Sequence, residues 1–257
     1  MVLLSFDIEE FDMPFEYGKH ITFEEQIEIS VKGSHIILDL LKKHSFKATF
    51  FSTVIFALNA PEIIARIKSE GHELASHCYY HSKFESAHLA SSKEALEKLF
   101  GSKLFGFRMP RMMPVNEIEL ENAGYTYNSS INPTWLPGRY NNLHISRTYF
   151  KLRNVLQLPA SVSPFFRIPL FWLSFHNFPI GIYQYFAKRC YKKDGYLNLY
   201  FHPWEFIDLN DKEKYGFPSY VSKNSGVLME KRMDLFLNWL NQQGYPNTKI
   251  HQFVETL

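Results

Sequence analysis

Short apolar segments alternate with amphipathic segments along most of this chain, and this alternation restricts the fold more than any other feature of the sequence. Apolar segments that we interpret as strands include residues 2–9, 46–54 and 125–130. Between such segments, apolar residues recur at helical spacing, which predicts helices at residues 30–44, 60–70 and 86–100. Strands that alternate with helices pair in parallel through right-handed crossovers. We therefore expect an α/β fold that closes as a distorted (β/α) barrel.

The composition predicts one folded domain over residues 1–257, with an irregular, aromatic-rich insertion at about residues 132–189. Apolar residues make up 46% of the chain and aromatic residues 17%, which excludes disorder as its general state. The formal net charge of +2 is not accompanied by a basic stripe, so we expect no nucleic-acid partner. Cys78 and Cys190 are too few and too far apart in sequence for a disulfide scaffold.

The sequence also bears on location. The first predicted strand is not preceded by a charged and then apolar leader, which predicts a cytoplasmic protein. No apolar run reaches the roughly 18 residues that a membrane span needs. Arg167, His176 and several prolines interrupt the most aromatic stretch. We therefore expect no transmembrane segment.

Two histidines at a spacing of four, His77 and His81, follow the apolar-tinged segment Glu73–Ser76. We interpret this segment as a short buried strand that delivers both imidazoles at its carboxyl end, where the active sites of α/β folds lie. Such a pair can bind one divalent metal ion. An isolated pair of this kind also occurs on ordinary surface loops, so its meaning depends on the other motifs.

Three acids, Asp7, Glu9 and Glu10, stand at the end of the first predicted strand. Side chains alternate between the two faces of a strand, so Asp7 and Glu9 are expected to point the same way and Glu10 the other way. Two carboxylates on one face repel each other, and a shared cation relieves that repulsion. A carboxylate with two histidines suits a catalytic zinc or a similar transition ion. The alternative is a solvated acidic cap on the strand.

In each of two further motifs, an apolar strand ends with a polar residue that lies close to a proline. These polar residues are Arg108, two positions before Pro110, and His202, directly before Pro203. In chain order, the acidic motif, the histidine pair, Arg-x-Pro and His-Pro-Trp-Glu resemble the polysaccharide deacetylase family, the NodB-like carbohydrate esterases. The resemblance runs from Leu3 to about Glu205. It implies a distorted barrel of about seven strands and the hydrolytic removal of an N-acetyl group from a saccharide.

The resemblance implies a metal site formed by Glu9, His77 and His81. Zinc is the expected ion, with cobalt, nickel, manganese and iron as alternatives. The commonest family motif has two adjacent acids, whereas Ile8 separates Asp7 from Glu9 here, as in a D-x-D variant. Asp7 then takes the position of the base, and Glu10 is the alternative ligand.

The resemblance also implies roles for the remaining motifs. Arg108 is expected to orient Asp7, and His202 is expected to protonate the departing amine. A packed core histidine is the alternative for His202. Family members often have an aromatic residue where this chain has Arg111, with a backbone N–H that helps to hold the oxyanion. We expect substrate contacts from Arg111, Trp135 and Trp204.

Other functions stay open at this stage. The chain could hydrolyse a ureide or cyclic imide, or it could bind carbohydrate without turnover. The residues Pro164–Phe178 hold six aromatic side chains that could fill the core or a subunit interface, stack on sugar rings, or contact a membrane surface. A homo-oligomer or a peripheral membrane contact therefore remains an expectation to test.

Overall fold

The computed structural model describes all residues, Met1–Leu257, and its centre is one curled eight-stranded sheet. Seven neighbouring strands run parallel and the last edge strand is antiparallel. The spatial order is β10-β1-β2-β3-β4-β5-β9-β8, and β6 and β7 form a separate ribbon. The predicted α/β barrel with about seven strands is confirmed. The strands are β1 (Val2–Ile8), β2 (Ala48–Ser52), β3 (Glu73–Ser76), β4 (Gly106–Phe107), β5 (Tyr127–Asn128), β6 (Trp135–Leu136), β7 (Tyr140–Asn141), β8 (Phe150–Leu152), β9 (Val155–Gln157) and β10 (Leu197–Phe201).

Helices cover the outside of the sheet. They are α1 (Phe23–His44), α2 (Val54–Asn59), α3 (Pro61–Ser69), α4 (Ala87–Phe100), α5 (Glu117–Asn122), α6 (Trp172–Asn177), α7 (Ile180–Asp194), α8 (Lys212–Tyr215), α9 (Ser219–Ser222), α10 (Val227–Gln242) and α11 (Ile250–Val254). Short 3₁₀ helices occupy Met13–Tyr17, Pro110–Met112 and Pro203–Phe206. No helix is both long enough and apolar enough to cross a membrane.

The gap between β9 and β10 is closed by irregular hydrogen bonds instead of a strand ladder. The backbone N–H of Ser161 donates to the Asn198 carbonyl at 2.9 Å, and the Asn198 N–H donates to the Ser161 hydroxyl at 2.9 Å. The buried Asn198 amide also donates to the carbonyls of Leu158 and Pro159, both at 3.1 Å. Because buried polar groups need partners, one asparagine side chain can join the two ends of the curled sheet.

Helix α1 begins earlier than the predicted start at residue 30, and its first residue is Phe23. The Thr22 hydroxyl accepts from the Glu25 N–H at 3.2 Å, and the Glu25 carboxylate accepts from the Thr22 N–H at 3.4 Å. This capping box satisfies N–H groups that a helix start leaves free. The apolar spacing alone missed it, because the first two turns carry mostly polar residues.

The aromatic-rich stretch Pro164–Phe178 is divided between core and surface. Phe171 and Phe175 are buried, and Phe175 belongs to the main apolar core. Phe165 and Phe166 are 76% and 83% exposed. Packing in the core therefore accounts for Phe171 and Phe175, and it leaves the two residues at the tip of the preceding turn without a packing role.

The packing of α1 on the barrel generates a testable prediction. A Cβ atom at Gly33 would lie 2.0 Å from the Pro203 carbonyl oxygen, so Gly33→Ala must push the helix away from the segment that follows His202. We expect the free energy of unfolding to fall by roughly 1–3 kcal/mol, as for other overpacked cores. Thermal and urea unfolding measure it.

Gly181→Ala is the matched control, because nothing lies within 4 Å of a Cβ atom there. Alanine favours a helix over glycine, so the melting temperature of this control should stay the same or rise slightly. An unchanged melting temperature for Gly33→Ala would contradict the close contact.

Candidate metal centre and active site

The polar residues that end different strands meet at one cavity of about 370 Å³. Asp7 lies at the end of β1, Glu9 just after it, His77 directly after β3, and His202 directly after β10. All four residues line the cavity, together with His81. Parallel strands bring their carboxyl ends to the same edge, so five residues that lie between positions 7 and 202 of the sequence share one site.

Glu9, His77 and His81 have the geometry of a metal-binding site. The Glu9 Oε2 atom lies 2.9 Å from His77 Nε2 and 3.2 Å from His81 Nε2. One ligand atom from each residue falls within 4.8 Å of the others. The Glu9 Oε2 atom is buried and has no hydrogen-bond partner. A buried oxygen without a partner beside two imidazole nitrogens fits a bound cation.

Each histidine of this cluster is held from its far side. The His77 Nδ1 atom donates to the Arg108 carbonyl at 2.8 Å, and the His81 Nδ1 atom donates to Asp12 Oδ1 at 2.7 Å. With the proton on Nδ1, the Nε2 lone pair of each ring is free to bind metal. Burial lowers the pKa of His81, but Glu9 and Asp12 outweigh it and raise that pKa to about 9. A cation would displace the second proton, since metals bind neutral imidazole.

Asp12 was missed in the sequence, and it explains the place of Arg111. The Arg111 side chain donates to Asp12 Oδ2 at 3.0 Å, to Glu16 Oε1 at 2.7 Å and to the His81 carbonyl at 3.0 Å. Arg111 therefore lines the cavity as an already paired cation that holds the loop after β1 against His81. In the sequence, the only indication of a role for Asp12 was its position three residues after Glu9.

Arg111 also has an unusual backbone. Its φ angle is +55°, which disfavours a residue with a Cβ atom, and the next residue, Met112, has a φ of +53°. The Arg111 N–H donates to no other group of the protein. Two residues in the left-handed region beside a polar cavity indicate a backbone held in place by its surroundings.

Asp7 is paired with Arg108 below the cavity. The Arg108 Nη1 atom donates to Asp7 Oδ1 at 2.6 Å, and Arg108 is completely buried. The guanidinium also donates to Ser5 and Ser129 and lies 4.0 Å from the centre of the Phe51 ring. Burial raises the pKa of Asp7, but Arg108, His77 and His202 outweigh it, so the pKa lies below its usual value. Asp7 therefore stays ionised at neutral pH.

Glu10 is not one of the clustered ligands, although its Oε1 atom accepts from the His81 backbone N–H at 3.5 Å. Its Oε2 atom accepts a hydrogen bond from the Thr53 hydroxyl at 2.5 Å, and its side chain is not among those that line the cavity. Burial raises the pKa of Glu10 above its usual value, although Thr53 opposes this. The alternation of side chains along the first strand thus separates Glu10 from Asp7 and Glu9.

His202 faces Asp7 across the cavity. Its Nε2 atom lies 3.8 Å from Asp7 Oδ2, and its Nδ1 atom donates to Glu205 Oε1 at 3.1 Å. Burial lowers the pKa of His202, but Glu205 and Asp7 outweigh it, so the pKa lies above its usual value. The ring is therefore protonated more readily than an ordinary histidine. Glu205 was noticed only as part of a motif, and no role was predicted for it.

The residues predicted to contact substrate differ in their position relative to the cavity. Trp204 lines the cavity and stacks on His202, with ring centres 4.9 Å apart. Trp135 is 59% exposed and does not line the cavity, because strand alternation turns its neighbour Leu136 inwards instead. Trp172, which the sequence placed only in the aromatic-rich insertion, lines the cavity and meets His202 edge-on at 5.9 Å.

Residues 19–128 match the family described as polysaccharide deacetylase, and this stretch holds His77, His81 and Arg108. Over this stretch the chain is similar to the polysaccharide deacetylase family. The family suggested by the ordered motifs is thereby confirmed. Asp7, Glu9 and His202 lie outside the matched stretch, and the folded chain brings all three to the same cavity.

A curated relative of this chain is a chitooligosaccharide deacetylase of Bradyrhizobium sp. (strain ANU 289), with 33% identity over 78 residues. The alignment covers 30% of this chain and 35% of that relative, so the chain spans about a third of the relative's length. The similarity is therefore local in sequence.

Solved structures of low identity share the fold along the whole chain. A family 4 carbohydrate esterase from Bacillus anthracis has a TM-score of 0.51 at 16% identity, over 100% of this chain and 83% of that one. PuuE allantoinase has a TM-score of 0.64 at 13% identity, over 98% of this chain and 87% of that one. At such identities the similarity is one of fold.

The geometry of the cluster predicts metal binding. Protein that has been loaded with zinc and desalted should contain about one zinc ion per chain, because one carboxylate and two imidazoles form a suitable ligand set. The double change His77→Ala with His81→Ala removes two of the three ligands and should abolish retention. Elemental analysis measures the metal content.

The matched control is His35→Ala with His144→Ala, which removes two exposed histidines outside the cluster. This control should keep its zinc. Loss of zinc in the control, or zinc retained by the variant without His77 and His81, would show that the ion binds elsewhere.

Proposed function

We propose that this protein is a metal-dependent hydrolase that removes an N-acetyl group from a saccharide. The observation that carries the proposal is the position of Asp7 and His202, 3.8 Å from each other, in the same cavity as the Glu9, His77 and His81 cluster. A carbohydrate-binding protein without turnover has no need for an ionised acid, a readily protonated histidine and a set of metal ligands together. The match of residues 19–128 to the polysaccharide deacetylase family supports the same reaction class.

Glu9, His77 and His81 would hold the metal, with zinc as the expected ion and cobalt, nickel, manganese and iron as alternatives. A bound ion of this kind polarises an amide carbonyl and lowers the pKa of a bound water towards neutrality. Asp12 and the Arg108 carbonyl fix the two imidazole rings from behind. The chain thus supplies both the ligands and the groups that orient them.

Asp7 is the proposed general base. Its Oδ1 atom is occupied by Arg108, which leaves Oδ2 to face the cavity and accept a proton from the attacking water. Because Arg108 is buried and makes several hydrogen bonds, it fixes the direction of this carboxylate as well as its charge. The proton is accepted beside the cluster, on the side that faces His202.

His202 is the proposed general acid. Its Nδ1 atom donates to Glu205, so Nε2 is the atom that faces Asp7 and the cavity, and it can give its proton to the departing amine. The free N–H of Arg111 is a donor beside the same cavity, in the position that the family uses for the oxyanion. No side chain at residue 111 is needed for that contact.

An N-acetylated saccharide is the proposed substrate class. The cavity wall combines the rings of Trp172, Trp204 and Tyr200 with polar groups such as Asn132. Aromatic faces beside a few polar groups are common in pockets that bind sugars and other small molecules. The predicted cytoplasmic location, the absence of a nucleic-acid partner and the possibility of an oligomer or a peripheral membrane contact remain predictions.

Hydrolysis of a non-sugar amide, such as a ureide or cyclic imide, is the second candidate. The fold shared with PuuE allantoinase favours it. An acetate-release assay over N-acetylated mono- and oligosaccharides, with allantoin as a parallel substrate, separates the two. We expect acetate release from a saccharide that depends on added zinc. Turnover of allantoin alone would support the second candidate and refute the first.

The roles of the three acids at the end of β1 are separable by mutation. Asp7→Asn should retain zinc but lower kcat by roughly 10²–10⁴-fold, the usual range for general base catalysis. Glu9→Ala should weaken zinc binding, because a ligand is lost. Zinc affinity, measured by competition with a chelator, and kcat are determined for each variant.

Glu10→Gln is the control for these two changes, because Glu10 lies outside the ligand set, and glutamine keeps its size and an oxygen that can accept from the His81 N–H. It should leave zinc affinity and kcat near the wild-type values. If zinc is lost from the Asp7 or Glu10 variant and kept by the Glu9 variant, the assignment of ligand and base is wrong.

A further inference from the structure

A buried histidine in the aromatic-rich stretch contacts the partner of the proposed acid. His176 lies in α6 and is 1% exposed, and its Nε2 atom donates to Glu205 Oε2 at 2.9 Å. The other oxygen of the same carboxylate accepts from His202 Nδ1 at 3.1 Å and from the His202 N–H at 2.6 Å. His176, Glu205 and His202 therefore form one continuous chain of hydrogen bonds.

We propose that His176 is a positioning residue, which acts through Glu205 to fix the orientation and protonation of His202. The inference rests on the proposed role of His202 as the acid. It also gives a function to the helix α6, whose part in the aromatic-rich insertion could not be assigned from the sequence.

The burial of Glu205 makes His176 necessary. Glu205 is fully buried, and no lysine or arginine pairs with it. A buried carboxylate that loses a hydrogen-bond donor becomes costly to keep ionised. Burial raises the pKa of Glu205, but the hydrogen bonds from His176 and His202 outweigh it, so the pKa lies below its usual value. Without the N–H of His176, Oε2 would have no donor.

Glu205 in turn decides which nitrogen of His202 faces the cavity. An ionised Glu205 accepts from Nδ1, which leaves Nε2 for proton transfer. The charged groups that face His202 are Glu205 from the segment after β10, and Asp7 and Glu9 from the end of β1. Trp172 of α6 and Tyr200 of β10 contribute only ring edges. Loss of charge on Glu205 would thus remove the nearest anion.

The contacts of His176 indicate a role beyond packing. Its Nδ1 atom is buried and has no hydrogen-bond partner, which is unfavourable for a polar atom. An apolar side chain in the same place would leave no polar atom without a partner. When the ring is neutral and its proton is on Nε2, the Nδ1 atom carries only a lone pair and no N–H group lacks an acceptor. Trp172 meets the rings of both His176 and His202 edge-on, at 6.1 Å and 5.9 Å. One turn of helix therefore supports the acid through a hydrogen bond and an aromatic contact.

The test uses His176→Gln and His176→Asn in the zinc-loaded protein. A glutamine amide nitrogen reaches the place of Nε2 and can still donate to Glu205, whereas the asparagine nitrogen falls near the place of Nδ1 and cannot. We expect His176→Asn to lower kcat by about tenfold with little change in KM, in the range found when supporting hydrogen bonds are removed. His176→Gln should recover most of that loss.

Nitrogen NMR of the His202 ring supplies a readout that does not need turnover. In His176→Asn the titration midpoint of His202 should move to lower pH by about one unit, because the raised pKa depends on an ionised Glu205. Protonated His202 would then be lost at a lower pH, so the alkaline limb of kcat/KM should move in the same direction. His176→Gln should keep the wild-type midpoint.

His44→Leu is the matched control, since it breaks another partly buried histidine–carboxylate pair, with Asp234 at 2.7 Å, far from the cavity. It should leave the His202 midpoint unchanged. The proposal is overturned if His176→Asn lowers only the melting temperature, or if the glutamine and asparagine variants shift His202 equally. Failure of the acetate assay with a shifted His202 midpoint would instead reject the proposed reaction and leave the positioning role intact.

Discussion

The buried ion pair between Asp7 and Arg108 is the interaction on which the rest of the site depends. Arg108 is completely buried inside the curled sheet, and a buried charge is tolerated only where it is paired and hydrogen-bonded. Asp7 of β1 supplies the charge, and Ser5 and Ser129 supply further acceptors. One side chain thus links the first strand with the segments after β4 and β5, and it also keeps the proposed base ionised.

The three imidazoles that face the cavity follow one rule. Each of His77, His81 and His202 donates from Nδ1 to an oxygen behind it, which is the Arg108 carbonyl, Asp12 or Glu205. Each therefore presents Nε2 to the cavity. The carboxylates on the cavity side of the rings give them different functions. His81 and His77 share the Glu9 carboxylate and suit a metal, whereas His202 lies by Asp7 and suits proton transfer.

The irregular part of the chain contributes more to the site than its sequence suggested. After β5, residues 132–189 no longer follow the alternation of strand and helix. Ser161 in this part contacts Asn198 and so closes the sheet, and α6 packs against the segment after β10. Trp172 and His176 of α6 reach the proposed acid from the cavity side and from behind it. A stretch without strand or helix periodicity can therefore build part of an active-site wall.

The sequence by itself determined the features that depend on local periodicity. Alternating apolar and amphipathic segments predicted the parallel α/β fold, and the period of two along the first strand put Asp7 and Glu9 together and Glu10 apart. The start of α1 was missed because its first turns are polar, and Trp135 was placed in the site although Leu136 faces the cavity. Only the tertiary structure decided the partners of the site residues. Asp12 meets His81 across 69 positions of sequence and His176 meets Glu205 across 29, and such contacts depend on how distant segments pack, which no local pattern records.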